Sequence, residues 1–280
     1  MTQGKLTAEE IARMPRGGPD ASWINRRLQT RRPEITDRYD ISDELKQKVI
    51  GTLDRFGERF GLHTLNAQMV LDQVAELDNP RILELGAGHG GVSAEILRLH
   101  PSAEVTVSDL DPASVSNIAA SPLGRHPRCT VKLIDATKID EPENSFDLVV
   151  FAVSMHHLPP QDVAQVIADA TRVGKKFLVI DLERPSTLGI LLAPLMFIPT
   201  AVAVMMVSPP SAVPPFLHDS LIGTLRAYSR SAFKALGTAA DPDMVVEFAP
   251  GTRSLPWIPV VFSRPTGAGE SERDNVEQSH

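Results

Sequence analysis

The sequence has one cysteine, Cys129, in 280 residues. That excludes an intramolecular disulfide and fits a reducing compartment. Cys129 falls in a short apolar run and reads as a small core residue, not a nucleophile. Excess positive charge is also missing. Twenty-eight Lys and Arg against 35 Asp and Glu leave a formal charge of −7, which argues against generic nucleic-acid binding. Met1–Glu10 is polar and lacks the apolar stretch of a signal peptide. There is no internal repeat, and no metal-ligand set is expected. These absences lead to the expectation of a cytoplasmic protein without a nucleic-acid partner.

Apolar residue content is not lacking: at 42% hydrophobic the chain can bury a substantial core. The positive charge it does carry is concentrated early, in Arg13, Arg16, Arg26, Arg27, Arg31, Arg32 and Arg38. Residues 1–40 therefore read either as a solvated, flexible arm or as a lid or membrane-surface contact. Ser42 is placed to cap a helix carrying Leu45, Val49, Leu53, Phe56 and Phe60 at helical spacing. A second helix is expected over Thr64–Leu77, so residues 41–79 form N-terminal helices.

From Ile82 the pattern alternates. Strands are expected at 82–85, 104–108, 130–134, 145–152 and 176–181, with helices at 92–99, 112–120 and 161–172. Short apolar strands alternating with helices imply βαβ units and a parallel sheet, here a Rossmann-like core over residues 80–182. A helix over 229–236 and strands at 245–248 and 258–263 complete the core across 229–263. Residues 264–280 read as a disordered tail.

The loop Gly86-Ala-Gly-His-Gly-Gly91 follows a strand and opens a helix, where glycine allows positive φ and close approach of a ligand to the backbone. Its glycines fit two spacings: with Glu84, Gly86, Gly88 and Gly90 give E-x-G-x-G-x-G, while Gly86, Gly88 and Gly91 give the dinucleotide pattern G-x-G-x-x-G. Glu84 and Asp135 favour the first, whereas Asp109 suits either cofactor class. Glu84, two residues ahead of the loop, suits an ammonium and would repel a pyrophosphate. Asp109 ends the next strand, placed for ribose hydroxyls. Asp135 ends the one after, where an acid can accept from an adenine amino group. Asp111 reads as the cap of the helix begun by Pro112, and His89 as a solvent-facing loop residue.

Four segments, Ile82–Gly91, Val107-Ser-Asp-Leu-Asp-Pro112, Ile134-Asp-Ala136 and Ser145-Phe-Asp-Leu-Val-Val-Phe-Ala152, resemble the successive motifs of class I SAM-dependent methyltransferases, in that family's order. The resemblance implies a seven-stranded, mostly parallel α/β sheet with helices on both faces, and S-adenosyl-L-methionine (SAM) as cofactor, released as S-adenosyl-L-homocysteine (SAH). It implies that Glu84 handles the methionine amino group and that Gly86, Ala87 and Gly88 line methionine and ribose. Asp109 would bind the ribose hydroxyls, Leu110 would pack on adenine, Asp135 and Ala136 would meet the adenine edge, and Ala152 and Val153 the methionine end. His218–Phe233, with Asp181-Leu-Glu-Arg184, is similar to segments of bacterial methyltransferases of small, often hydrophobic metabolites.

Methyl transfer from a sulfonium needs positioning more than a protein nucleophile, but an O–H acceptor benefits from a base. His156, His157 and His218 are the candidates. Phe151-Ala-Val-Ser154 stands where methyltransferases of base and glutamine amino groups carry Asn/Asp-Pro-Pro-Tyr/Phe, which points to a small-molecule acceptor. Within residues 183–228, Leu188–Val207 lacks any charged residue and would span about 30 Å as a helix. Pro194 and Pro199 interrupt it, so two short helices forming an apolar lid are expected, suited to a hydrophobic acceptor. A peripheral membrane contact or a homodimer interface remains an alternative use of the same surface. The chain thus reads as a methyltransferase of a hydrophobic small molecule in secondary metabolism, acting at oxygen. The rival readings are non-methylating chemistry on the same fold and a membrane-associated lipid or quinone methyltransferase.

Overall fold

The structure, a computed structural model, describes residues 6–38, 40–250 and 257–265. The expected tail therefore lies, from residue 266 onward, outside the described residues, as do positions 1–5 of the arm. Ahead of the sheet come α1 (Ala8–Arg13), α2 (Trp23–Arg27), α3 (Asp43–Arg59) and α4 (Leu62–Asp72). The alternating core follows as β1 (Arg81–Leu85), α5 (Gly91–Leu99), β2 (Glu104–Asp109), α6 (Pro112–Ala120), β3 (Cys129–Leu133), β4 (Phe146–Ala152), α7 (Pro160–Val173) and β5 (Gly174–Leu182). After β5 stand α8 (Thr187–Leu192), α9 (Phe197–Met205) and α10 (Val213–Arg226). The chain then closes with α11 (Arg230–Ala240), β6 (Val245–Phe248) and β7 (Trp257–Ser263).

The seven strands lie in the order β3-β2-β1-β4-β5-β7-β6. The first five are parallel, and β7 runs antiparallel between β5 and β6. Leu83, Leu85, Val149, Phe151, Phe177 and Val179 pack into one core layer with α7 and α11. Ile82, Val105, Leu148, Val150 and Leu178 pack into the other with α4 and α5. The central strands are covered on both faces, which is why they read as continuous apolar runs. Strand order reverses between β1 and β4, and the crevice at such a reversal is where open α/β sheets bind ligands.

Local chemistry fixes the element ends. Ser42 accepts from the Leu45 N–H to start α3, and Asp111 accepts from the Ala113 and Ser114 N–H groups to start α6, with Pro112 at its first position. The apolar run after β5 divides as its prolines require. Pro194 falls in a 3₁₀ turn, Ala193–Met196, between α8 and α9, and Pro199 sits in the first turn of α9, where no amide partner is lost.

Residues 6–38 are not a solvated arm. Thr7 and Glu10 form a capping box on α1, and Arg16 is buried. Arg16 donates to the carbonyls of His156 (2.8 Å), Leu158 (3.0 Å) and Arg226, and stacks on the Tyr228 ring. Asn25 accepts at 2.6 Å from Arg184, which follows β5. A buried guanidinium must be hydrogen-bonded to be tolerated, and here the partners come from the loop after β4 and from α10. Five of the early arginines, Arg13, Arg26, Arg27, Arg31 and Arg32, remain exposed.

Candidate active site

β1, β2, β3 and β4 end side by side, so Glu84, Asp109, Asp135 and Ala152 come from neighbouring positions at one edge of the sheet. The glycine loop turns above them. Gly86, Gly88 and Gly90 have φ of +58°, +59° and +78°. A Cβ on Gly86 would lie 2.6 Å from the Phe151 ring, so both backbone conformation and close packing demand glycine there.

Asp109 ties β2 to this loop, accepting from the Gly88 N–H at 2.8 Å and the Asp111 N–H at 2.9 Å. Burial pushes its carboxyl up from the ordinary value, against the pull of those two amides. Leu110 beside it is 60% exposed, an uncovered apolar side chain at the mouth of the crevice. Asp135 folds onto its own loop, accepting from the Thr137 N–H and hydroxyl at 2.9 and 2.6 Å, and Ala136 packs against the core. Val153 has φ of +54°, uncommon for a β-branched residue and a store of strain. Its N–H donates to Ile180 at 2.6 Å, and the next hydroxyl, Ser154, donates to the Gly86 carbonyl. The turn after β4 is thereby fastened to the glycine loop.

Glu84 is 2% exposed. Its Oε2 accepts from the N–H (3.1 Å) and the hydroxyl of Ser93 in the first turn of α5. One carboxylate oxygen is thus engaged by the protein. Burial pushes the Glu84 carboxyl up to about 7, only partly offset by Ser93 and by the nearby His63.

Sequence reasoning missed the roof over this loop. His89 does not face solvent: it lies between Gln47 (3.1 Å) and Asp54 (3.7 Å) of α3. Asp54 also holds His63 at 3.1 Å, and these two imidazoles keep its carboxyl well below the usual range. His63 fills the space beside Gly57 and Gly91, where a Cβ would come within 2.7 Å of its ring. These three residues sit on α3, α4 and the glycine loop, and only the chain's path brings them together.

The three candidate histidines have different settings. His156 is buried; its Nδ1 lies 2.7 Å from Asp181 and its Nε2 3.4 Å from Glu34. Burial alone would lower its basicity, but the carboxylates of Asp181 and Glu34 prevail and push it up to about 10. With both ring nitrogens facing carboxylates, His156 is poorly placed to take a proton from an acceptor. His157 stacks on it at 4.3 Å and pairs with Asp37 through Nδ1 at 2.7 Å. His218, on α10, is half-exposed and directs Nδ1 at Asp219, 2.8 Å away.

Comparison with known proteins fits this geometry. The family model of a methyltransferase domain matches residues 82–176. A malonyl-[acyl-carrier protein] O-methyltransferase of Halorhodospira halophila is 32% identical over 132 residues, covering 46% of this chain and 39% of that protein. The chain therefore spans about two fifths of that curated relative's length. The structure of the PH0226 protein of Pyrococcus horikoshii superposes with a TM-score of 0.51 at 17% identity, covering 74% of this chain and 91% of that one. The plantazolicin methyltransferase BamL, solved with a triazolic desmethylPZN analogue and SAH, superposes at 0.52 and 11%, covering 76% and 88%. Residues 82–176 thus resemble a methyltransferase domain in sequence, on a fold shared with these solved structures.

Proposed function

We propose that this chain transfers the methyl group of SAM to a hydroxyl of an apolar small molecule held beneath residues 183–228. The observation that carries the reading is the joint placement of Glu84, Asp109 and Asp135 on three strand ends around a positive-φ glycine loop. An ammonium, a ribose and an adenine are the groups such an array serves. Oxygen as the target is supported by the relative from Halorhodospira halophila, which is named for O-methylation. His218, backed by Asp219, has the setting of a general base, since a carboxylate on Nδ1 leaves Nε2 to accept a proton.

The helices after β5 support an apolar acceptor. Leu188, Leu191, Leu195, Met196 and Ile198 are exposed, Ile198 by 78%. An uncovered apolar surface of this kind marks an interaction site. Thr187–Met205 is also long and apolar enough to cross a bilayer by length and composition. A second reading therefore has support, in which these helices rest in a membrane surface and the acceptor is a lipid or quinone. Exposed Trp23 and Arg26 flank them through the Asn25–Pro185 and Asn25–Arg184 hydrogen bonds, and such residues suit the lipid–water interface. The lone cysteine and acidic charge support a cytoplasmic enzyme in either reading.

Calorimetric titration with SAH, and separately with NAD(H), tests the cofactor. Saturable SAH binding without NAD(H) binding is expected, and NAD(H) binding alone would overturn the proposal. Flotation with anionic vesicles, comparing wild type with Leu195→Glu/Ile198→Glu, decides between soluble and membrane-borne acceptors.

A further inference from the structure

The cluster at the far side of the loop after β4 has the construction of a metal centre. One potential ligand atom from each of Glu34, His156 and His157 lies within 4.8 Å of the others. Both histidines are oriented from behind by a carboxylate on Nδ1: Asp181 holds His156 at 2.7 Å, and Asp37 holds His157 at 2.7 Å. That arrangement fixes the tautomer of a ligating imidazole, leaving the Nε2 lone pair for a cation.

The distances on the two sides of the rings differ. The outer contacts have hydrogen-bond length, whereas the inner ones, Nε2 of His156 to Glu34 Oε1 and Nε2 of His157 to Glu34 Oε2, are 3.4 and 3.7 Å. These are long for charged hydrogen bonds. The first matches the separation of about 3.4 Å between ligands bound at 2.0–2.1 Å around a tetrahedral ion, and Glu34 turns one oxygen toward each ring. Glu34 Oε1 is a buried oxygen with no hydrogen-bond partner among the described residues, on a side chain only 7% exposed. Such an oxygen costs free energy unless something meets it. Gly223 of α10 faces the same space: a Cβ there would lie 3.3 Å from His156 Nε2 and 3.4 Å from Glu34 Oε1.

We infer that Glu34, His156 and His157 bind one divalent first-row transition metal of borderline softness, in a two-histidine, one-carboxylate site. Two nitrogens and a carboxylate suit zinc or ferrous iron better than magnesium or calcium. The ion ties the segment carrying Glu34 to the loop after β4. The site shares none of the residues assigned to SAM and stands whether or not the proposed function does.

Co²⁺ is the probe, because its visible ligand-field absorption reports nitrogen and oxygen coordination directly. Titration of the full chain near neutral pH should give absorption that saturates at one Co²⁺ per chain and is displaced by Zn²⁺. Glu34→Gln, close in shape to the native side chain, should weaken binding at least tenfold. His157→Ala should do so more strongly, and Gly223→Ala should weaken it by crowding the ligands. His126→Ala, on a surface turn, should bind as wild type. Circular dichroism and SAH titration verify that each variant is folded. Absence of saturable absorption in the wild type, or wild-type Co²⁺ affinity in folded Glu34→Gln and His157→Ala, would overturn the site.

Discussion

Glu84 makes the cofactor site sensitive to pH in a direction that can be worked out. Its ordinary value is 4.5, and burial pushes it up to about 7. The folded value lies above the unfolded one, so the stability this group contributes is fully present below pH 4.5 and lost as pH rises to 7. That shift is worth about 3 kcal/mol, at about 1.4 kcal/mol per unit. Binding of an ammonium should recover part of it, because the ionised carboxylate then gains a partner. Below pH 7 the carboxylate must first lose a proton, so SAH affinity should fall about tenfold for each pH unit and flatten above 7. At about pH 5.5 the loss should reach roughly 30-fold on the same scale. Calorimetry in two buffers of different ionisation enthalpy should also register proton release at the lower pH. Glu84→Gln should bind SAH more weakly at pH 8 and lose the slope below 7. Wild-type affinity that is flat from pH 5.5 to 7, or an unchanged slope in the variant, would refute the reasoning.

Three further outcomes are expected. Gly86→Ala should abolish measurable SAH binding by calorimetry, since it combines a φ of +58° with a Cβ 2.6 Å from Phe151. Arg16→Met should lower stability by about 2–4 kcal/mol in denaturant unfolding, because the buried carbonyls of His156 and Leu158 lose their donor. His218→Gln should reduce methyl-transfer turnover about 10²-fold or more while leaving SAH affinity unchanged, a division that separates a base from a cofactor ligand.

The core was legible because its signals are local. Asp111 and Pro112 mark the first residues of α6, and β1, β4 and β5 announce themselves as apolar runs because both faces are covered. What stayed hidden depended on tertiary contact. α10 carries Pro214 and Pro215 in its first turn, where proline is tolerated but masks the start of a helical pattern. Residues 6–38 show no periodicity because polar groups such as Arg16, Asn25 and Glu34 hold them, and their partners lie more than a hundred positions away. His156 stood out as a histidine at a strand end. Its setting between Asp181 and Glu34 depends on two segments whose meeting no local pattern records.

The long reach of Arg16 has a consequence for biosynthesis. Its carbonyl partners on His156 and Arg226 lie 140 and 210 positions further along the chain. At a ribosomal rate of about 5–20 residues per second, the segment waits roughly 10–40 s for the last of them to be made. During that interval Arg16 lacks the carbonyls it meets in the fold, so this segment can complete its contacts only after α10 has been made.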